Sequence, residues 1–245
     1  MSLFFQPTEI YMNLDDRSPA VGGIPQIDAA QGEAHKVLRN TYMLLGLSMI
    51  PTVLGAVIGV TFGFNLFAMM SGGMAFLLFL GIAFGLIFAV SRTKNSSLGV
   101  VFLLAFTFFM GLMLTNILTA ALSFSNGSQL IMLAAGGTGA IFLTLSGIAA
   151  TTKRDFSQWG KFLFVGLVVL LIMMFANLVL QISGLSLVIS GLALLLFSGY
   201  LLYDVNRIVH GGETNYIMAT LAVYLDIYYI FVHLLHLLMA FAGED

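Results

Sequence analysis

The sequence predicts an all-α integral membrane protein with seven transmembrane helices, and three observations support this prediction. Only 8% of the residues are charged, whereas 60% are hydrophobic. A soluble domain usually carries roughly 25% charged residues. Apolar runs long enough to cross a bilayer as helices, about 20 residues each, occur seven times along the chain. The basic residues, finally, are confined to alternate connections between these runs.

Each predicted span is an apolar run, and most connections are short enough to make consecutive helices antiparallel neighbours. The spans cover residues 41–64, 67–91, 98–123, 130–151, 160–182, 185–209 and 216–242, within a single membrane domain of residues 41–245. Residues 1–40 are polar and contain Pro7, Pro19 and Pro25, which oppose regular structure. We therefore expect a mobile tail there.

The distribution of basic residues predicts the orientation. All nine Lys and Arg side chains lie on one side of a seven-span protein: before the first span, between spans two and three, between spans four and five, and near the end of span six. Cytoplasmic loops carry an excess of Lys and Arg. We therefore expect the N-terminus to be cytoplasmic and the C-terminus to lie outside.

Composition also excludes several classes of protein. The chain has no cysteine, so it has neither disulfides nor thiolate metal sites, and its net charge of −2 gives no indication of a nucleic-acid partner. Glycine-rich segments such as "AAGGTGA" (134–140) lack the preceding strand and the lysine of a phosphate-binding loop. Small residues in membrane helices favour close helix packing instead. The lipid bilayer is thus the first predicted partner.

Asp226 is the strongest single indication of function. It lies about eleven residues into the last span, or about 16 Å at 1.5 Å per residue, near the middle of the membrane. An ionised Asp at that depth costs about 2.5–3.5 kcal/mol on insertion scales, and such residues usually face the interior of a bundle with a partner. The alternative is a protonated, hydrogen-bonded Asp226 that only fixes helix packing.

Asp204 is the expected partner because the last two spans run antiparallel. Two residues are level when they are equally far from the turn, and the midpoint between 204 and 226 is position 215. Gly211 and Gly212 suit the end of the first helix, and Thr214 or Asn215 would cap the second. The alternative for Asp204 is an exposed salt bridge with Arg207, which would contribute little stability.

If the two carboxylates meet, their coupling has chemical consequences. Two like charges about 4 Å apart at an effective dielectric constant of about 20 repel by roughly 4 kcal/mol. Such a pair shares one proton near neutral pH, and it separates when both groups are ionised. Asp204 and Asp226 also suit a hard cation such as Ca²⁺, but two carboxylates fall short of the six to eight oxygens of a tight site. We therefore expect weak, transient calcium binding, with calcium as a permeant ion and no cofactor.

Four further polar side chains are candidates to line a hydrated path: Tyr200, Tyr229, His233 and Asn116. The alternative for each is a hydrogen bond between helices. His233 and His236 are three residues apart, but no H-E-x-x-H motif accompanies them, which argues against a metalloenzyme.

Around these residues the chain resembles the Bax inhibitor-1 family of membrane proteins. The segments "YDVNRIVHGG" (203–212) and "LAVYLDIYYIFVHLL" (221–235) are similar to the last two helices of that family with their paired aspartates. The segments "HKVLRNTYMLLGLS" (35–48) and "HGGETNYIMAT" (210–220) resemble the bacterial branch with a long cytoplasmic tail. The resemblance extends over about residues 35–242.

The resemblance implies a seven-helix fold in which the last helix is enclosed by the other six. It also implies a pH-sensitive calcium leak in a bacterial inner membrane, with Asp204 and Asp226 as the sensing pair. Arg92 matches an arginine that competes for the first aspartate in leak members of the family. Some members of the long-tailed branch are linked instead to a membrane-bound AAA protease, as its regulator or substrate.

Two functions therefore remain open from the sequence, and neither is enzymatic. The first is a calcium-permeable leak gated by protonation of Asp204 and Asp226. The alternative is a non-conducting regulator or substrate of an AAA protease, acting through the N-terminal tail. An intramembrane aspartyl protease needs its second acid in a flexed context such as G-x-G-D, whereas Asp226 lies in the helical pattern "VYLDIYY". A retinal protein needs a lysine in a span, and the last span has none.

Overall fold

The computed structural model describes residues 24–69, 72–182 and 184–243. Within these residues the chain forms nine helices: α1 (Ile24–Phe62), α2 (Leu66–Met69), α3 (Gly72–Thr93), α4 (Ser97–Met113), α5 (Thr115–Leu122), α6 (Gly127–Thr151), α7 (Trp159–Leu180), α8 (Leu185–Val209) and α9 (Tyr216–Ala242). Helices α4 and α5 together form one span, and α2 is a single turn. Seven helical spans are long and apolar enough to cross a membrane, which confirms the predicted fold class.

The first helix begins earlier than the sequence indicated. It starts at Ile24, so residues 24–40 of the predicted tail are helical. Pro25 is tolerated because it lies in the first helical turn, where its missing N–H has no helical acceptor. Pro51 lies inside the same helix, as prolines do in membrane helices when neighbouring groups satisfy the freed backbone. The prediction for residues 1–23 lies outside the described residues.

Helix α9 occupies the centre of the bundle. It packs against α1, α3, α4, α5, α6 and α8, while α7 packs on the outer side of α8. The side chains of Tyr224, Ile230 and Leu235 on α9 are almost completely buried. A central last helix, as the resemblance implied, is therefore present, with α7 as the peripheral span.

Glycines bring α1 and α4 into close contact. A Cβ atom added at Gly55 would overlap the carbonyl oxygen of Phe108, and one added at Gly111 would overlap that of Thr52. In lipid, where hydrophobic burial gives little driving force, such close backbone approach is a main source of helix association. The predicted packing role of small residues holds for this pair of helices.

The α4–α5 span is interrupted at Leu114. The hydroxyl of Thr115 donates a 2.6 Å hydrogen bond to the carbonyl oxygen of Leu112. A hydroxyl bonded back to the preceding turn competes with the helical pattern and bends helices. The sequence analysis treated residues 98–123 as one uninterrupted span.

Three connections lie together at one end of the bundle, here termed the basic end. They are residues 94–96, residues 152–158 and the turn at residues 210–215. Hydrogen bonds from Asn206 and Asn215 join these connections, as described below. The basic end is thus a set of mutually bonded loops, next to which the aspartates lie.

Candidate functional site: the aspartate pair between α8 and α9

The turn between α8 and α9 fixes the register of the two helices. The N–H of Gly212 donates to the carbonyl of Arg207 at 2.8 Å, and the N–H of Gly211 donates to that of Ile208 at 3.1 Å. These two bonds form a Schellman motif. Gly211 has φ +74°, a conformation that glycine adopts without steric cost. The motif ends α8 at Val209, so the turn covers residues 210–215 and is not centred on Asn215, as the sequence analysis assumed.

Asn215 begins α9 and anchors it to a second connection. Its side-chain oxygen accepts hydrogen bonds from the N–H groups of Ile217 and Met218, both at 3.1 Å. Its side-chain amide donates to the carbonyl of Lys94 at 3.0 Å and to the side-chain oxygen of Asn95 at 2.9 Å. This confirms the predicted helix cap at Asn215. The hydrogen bonds from Asn215 to residues 94 and 95 were not predicted.

With this register, the structure brings Asp204 and Asp226 together. Asp226 is only 4% exposed, and Asp204 is half-buried beside it. The two carboxyl groups are close enough to interact electrostatically. Two carboxyl groups this close favour a state in which they share one proton, because two like charges repel each other.

One oxygen of the pair has no protein partner. Among the described residues, Oδ2 of Asp226 is buried and makes no hydrogen bond. Buried polar atoms are almost always bonded to protein or to water. This oxygen is therefore an acceptor that a water molecule or a cation can use.

The basic side chain that acts on Asp204 is Arg207. The Arg207 guanidinium forms a salt bridge with Glu213 at 3.5 Å and donates from Nε to the carbonyl of Gly212 at 3.1 Å. Its charge attracts Asp204, and that of Glu213 repels it. Arg92 is exposed and lies over the ring of Phe88, 5.2 Å from the ring centre. The structure thus places Arg207, the alternative partner from the sequence analysis, in electrostatic contact with Asp204, whereas Arg92, the residue implied by the resemblance, lies over Phe88.

Tyr200 and Tyr229 continue the polar stripe away from the basic end. The charges of both aspartates act on the hydroxyl of Tyr200. The ring of Tyr229 stacks on Phe197, with ring centres 4.5 Å apart and an interplanar angle of 18°. The α8–α9 interface therefore brings both tyrosines next to the aspartate pair.

Two histidines share one serine further along this interface. Oγ of Ser190 lies 2.9 Å from Nδ1 of His236 and 3.3 Å from Nδ1 of His233. Ser190 is buried on α8, and the ring of His233 also stacks on Phe197. The sequence analysis did not identify Ser190, because a serine in an apolar helix is common and gives no spacing signal by itself.

Asn116 is not part of this group. Its side chain is exposed on α5, although the neighbouring Thr115 is buried. Position 116 thus lies on the outer face of α5, and the apolar periodicity of a single span does not reveal which of its faces points outward. The prediction that Asn116 faces the interior is therefore wrong.

Asn206, two residues after Asp204, is a further buried polar side chain that the sequence analysis missed. It is 1% exposed, donates to the carbonyl of Arg154 at 3.0 Å, and accepts from the N–H of Phe156 at 2.9 Å. It therefore ties the 152–158 connection to α8 next to the aspartate pair. The position of Asn206 inside an otherwise apolar helix could have indicated that its side chain is buried and hydrogen-bonded.

The chemistry that Asp204 and Asp226 can support depends on which metal-ligating side chains surround them. The described residues contain no group of three or more His, Cys, Asp or Glu side chains arranged to hold a metal ion. Two carboxylates supply too few oxygens for a tight calcium site, and thiolates are absent from the sequence. The arrangement can share a proton between Asp204 and Asp226 and can attract a cation weakly.

Comparison with known proteins places the chain in a family. The model of the family described as "Inhibitor of apoptosis-promoting Bax1" matches residues 34–243. The chain is 41% identical to the "Modulator of FtsH protease YccA" of Escherichia coli over 211 residues, 86% of this chain and 92% of that protein. It is 38% identical to an uncharacterized protein of Neisseria meningitidis (85% and 92% covered) and 37% identical to an uncharacterized membrane protein of Vibrio cholerae (87% and 93%). The aspartate-bearing bundle described above therefore belongs to the Bax inhibitor-1 family.

Proposed function

We propose that this protein is a non-enzymatic modulator of a membrane-bound AAA protease in a bacterial inner membrane. The observation that carries the proposal is its 41% identity, over 92% of the relative's length, to a protein named as a modulator of the FtsH protease. Another E. coli relative with the same identity is named an inner membrane protein. In an inner membrane, the excess of Lys and Arg in cytoplasmic loops places the basic end of the bundle on the cytoplasmic side.

The first helix supports this proposal. Helix α1 has 39 residues and is thus about 58 Å long, well beyond the roughly 30 Å hydrocarbon core of a bilayer. Its N-terminal part extends past the membrane at the basic end and carries exposed charged side chains at Glu33, Lys36 and Arg39. The charged N-terminal part of α1 is thus continuous with the part of the helix that packs in the bundle.

Reconstitution with the protease tests this function. The purified protease is placed in proteoliposomes with a membrane-protein substrate, with and without the full chain, and substrate degradation is followed over time. We expect the full chain to change the degradation rate. Deletion of residues 1–23, which leaves α1 intact, should abolish that change. An unchanged rate with the full chain would contradict the proposed function, and a fully active deletion would exclude the tail from it.

A second function, a proton-gated calcium-permeable leak, is favoured by the aspartate pair. With one proton shared, the hydrogen bond between Asp204 and Asp226 holds α8 against α9. With both groups ionised, their repulsion separates the two helices. Calcium flux should therefore rise as pH rises, and the free oxygen of Asp226 would offer a weak ligand along the path.

Calcium flux into proteoliposomes across a pH series tests the leak. Asp226→Asn cannot ionise and can donate a permanent hydrogen bond to Asp204, so its flux should stay low at every pH. Asp155→Asn is the control. Hydrogen bonds from Ser157 hold the pKa of Asp155 below its usual range, so this exposed carboxylate stays ionised throughout the series. An Asp226→Asn profile identical to that of the unmodified chain would exclude the latch.

A further inference from the structure

A deep cleft on the side of the bundle has no role in either function. It lies between α1 and α6, has a volume of about 1050 Å³, and has α9 as its floor, including Tyr224 and Tyr228. Tyr42 on α1 and Phe142 on α6 both line it, and their rings meet edge to face with centres 5.7 Å apart. The cleft lies on the face of α9 away from Asp226, so it is separate from the aspartate pair.

The walls of this cleft carry glycines that internal packing does not explain. Gly46 on α1 and Gly139 and Gly147 on α6 line the cleft, and a Cβ atom added at any of them would meet nothing within 4 Å. At Gly55 and Gly111, by contrast, an added Cβ would overlap backbone atoms. The cleft glycines leave room that no other part of the described chain fills.

Two buried hydroxyl groups also line this cleft without a bonding partner. Thr138 is 5% exposed and Ser146 is 7% exposed, and among the described residues neither hydroxyl oxygen has a hydrogen bond. The hydroxyl of Tyr42 lies near that of Ser146, but the two do not have the geometry of a full hydrogen bond. Thr138 lies at the middle of α6, at a depth where the hydrocarbon of a bilayer supplies no hydrogen-bonding partner. A ligand that enters the cleft is expected to bond there.

We propose that this cleft is the docking site for one transmembrane helix of the protease. The occupant is a helix with small residues four apart and a side-chain hydroxyl or amide near its middle. Small residues on both sides allow close backbone contact, and the polar side chain satisfies Thr138. The identity of the partner rests on the proposed modulation of a membrane-bound protease.

The shape and polarity of the cleft favour this occupant over two others. Lipid acyl chains have no hydrogen-bonding group at the depth of Thr138. A symmetric dimer needs a surface that is complementary to itself, and two concave clefts do not fit each other. A single helix from another protein can fill the concave cleft and can also form a hydrogen bond with the hydroxyl of Thr138.

Site-specific photocrosslinking tests the proposal. A benzophenone amino acid replaces Leu143, an exposed residue that lines the cleft, and is activated in membranes that contain both the full chain and the protease. We expect an adduct to a transmembrane helix of the protease, mapped by mass spectrometry. Gly139→Leu and Gly147→Leu should abolish the adduct because each fills the cleft. Gly81→Leu on α3 should leave it unchanged, since position 81 is equally open but lies outside the cleft.

The outcomes separate this inference from the proposed function. Adducts only to lipid, to a second copy of the chain or to another protein would overturn the inference, as would an adduct that survives Gly139→Leu. If the full chain still changes the degradation rate in such a case, the modulation stands and only the docking site is wrong. Equal thermal stability of all three glycine variants in detergent would show that the loss of the adduct does not reflect misfolding.

Discussion

At the scale of single residues, buried polar side chains hold the connections of this protein as well as its helices. Asn206 is the clearest case, because both of its hydrogen bonds run to backbone atoms of the 152–158 connection. The Thr52 hydroxyl and the Tyr224 hydroxyl form a similar buried bond, 2.9 Å long, between α1 and α9. Such groups fix the relative position of elements that are distant in sequence.

Replacement of Asn206 by alanine should therefore destabilise the protein. It removes the partners of the N–H of Phe156 and the carbonyl of Arg154, and one intramolecular hydrogen bond contributes about 0.5–1.5 kcal/mol net. We expect a lower melting temperature in detergent micelles. Asn116→Ala is the matched control, because Asn116 is exposed on α5 and should change the melting temperature little. Equal effects of the two substitutions would show that the Asn206 bonds contribute no stability.

At the scale of elements, the close contact between α1 and α4 depends on glycine at a few positions. Gly111→Ala forces a methyl group into the backbone of Thr52, and overpacking typically costs about 1–3 kcal/mol. Gly85→Ala on α3 meets nothing within 4 Å and should stabilise by up to about 1 kcal/mol through helix propensity. The free energy of unfolding of each variant, measured in mixed micelles, tests both expectations. A neutral Gly111→Ala would show that the two helices tolerate a wider separation.

Asn215, at the start of α9, both caps that helix and bonds to residues 94 and 95, and two substitutions separate these roles. Asn215→Ala removes both the cap and the bonds to residues 94 and 95, whereas Asn215→Asp keeps the capping oxygen and loses the donor. We expect the alanine variant to lose about 1 kcal/mol or more, and the aspartate variant to lose less.

Hydrogen exchange provides the second measurement on these variants. Amide protection in the connection at residues 94–96 should fall in both variants, while protection of the first turn of α9 should fall only in Asn215→Ala. Unchanged exchange at residues 94–96 in both variants would show that the bonds from Asn215 do not hold that connection.

At the scale of the whole molecule, the absence of cysteine makes the orientation directly measurable. Gln158 lies at the basic end and Ser125 at the opposite end, and both are exposed. A single cysteine at position 125 should react with a membrane-impermeant maleimide in spheroplasts, and one at position 158 only after the membrane is permeabilised. The reverse pattern would place the basic end outside and would exclude contact between the N-terminal tail and a cytoplasmic protease domain.

Most of the fold was predictable from the sequence. The seven spans were found because a helix in lipid must be apolar over about 20 residues and must satisfy its backbone internally. The helical part of the tail was missed because Pro25 was taken as a breaker, although a proline in the first helical turn is well tolerated. The break at Leu114 was missed because it depends on one hydroxyl bond.

The candidate site was predictable where it depended on distance along the chain. The antiparallel arrangement of the last two spans predicted the contact between Asp204 and Asp226, although the turn covers residues 210–215 and is not centred on Asn215. Arg207 was predictable as a charged neighbour because it lies three residues after Asp204 on the same helix, whereas Arg92 belongs to another helix whose rotation the sequence does not reveal. Ser190 between two histidines depends in the same manner on how α8 and α9 face each other.

The sequence by itself thus determined the number and limits of the spans, the acid at the centre of the last helix and the register that pairs it with Asp204. These properties depend on apolar length and on distance along the chain. The tertiary structure alone decided which faces meet: Asn206 on the 152–158 connection, Ser190 between His233 and His236, and the open cleft between α1 and α6. The physical reason is that lipid-facing and interior positions of a membrane helix are both apolar, so the rotation of each helix becomes visible only when its neighbours are in place.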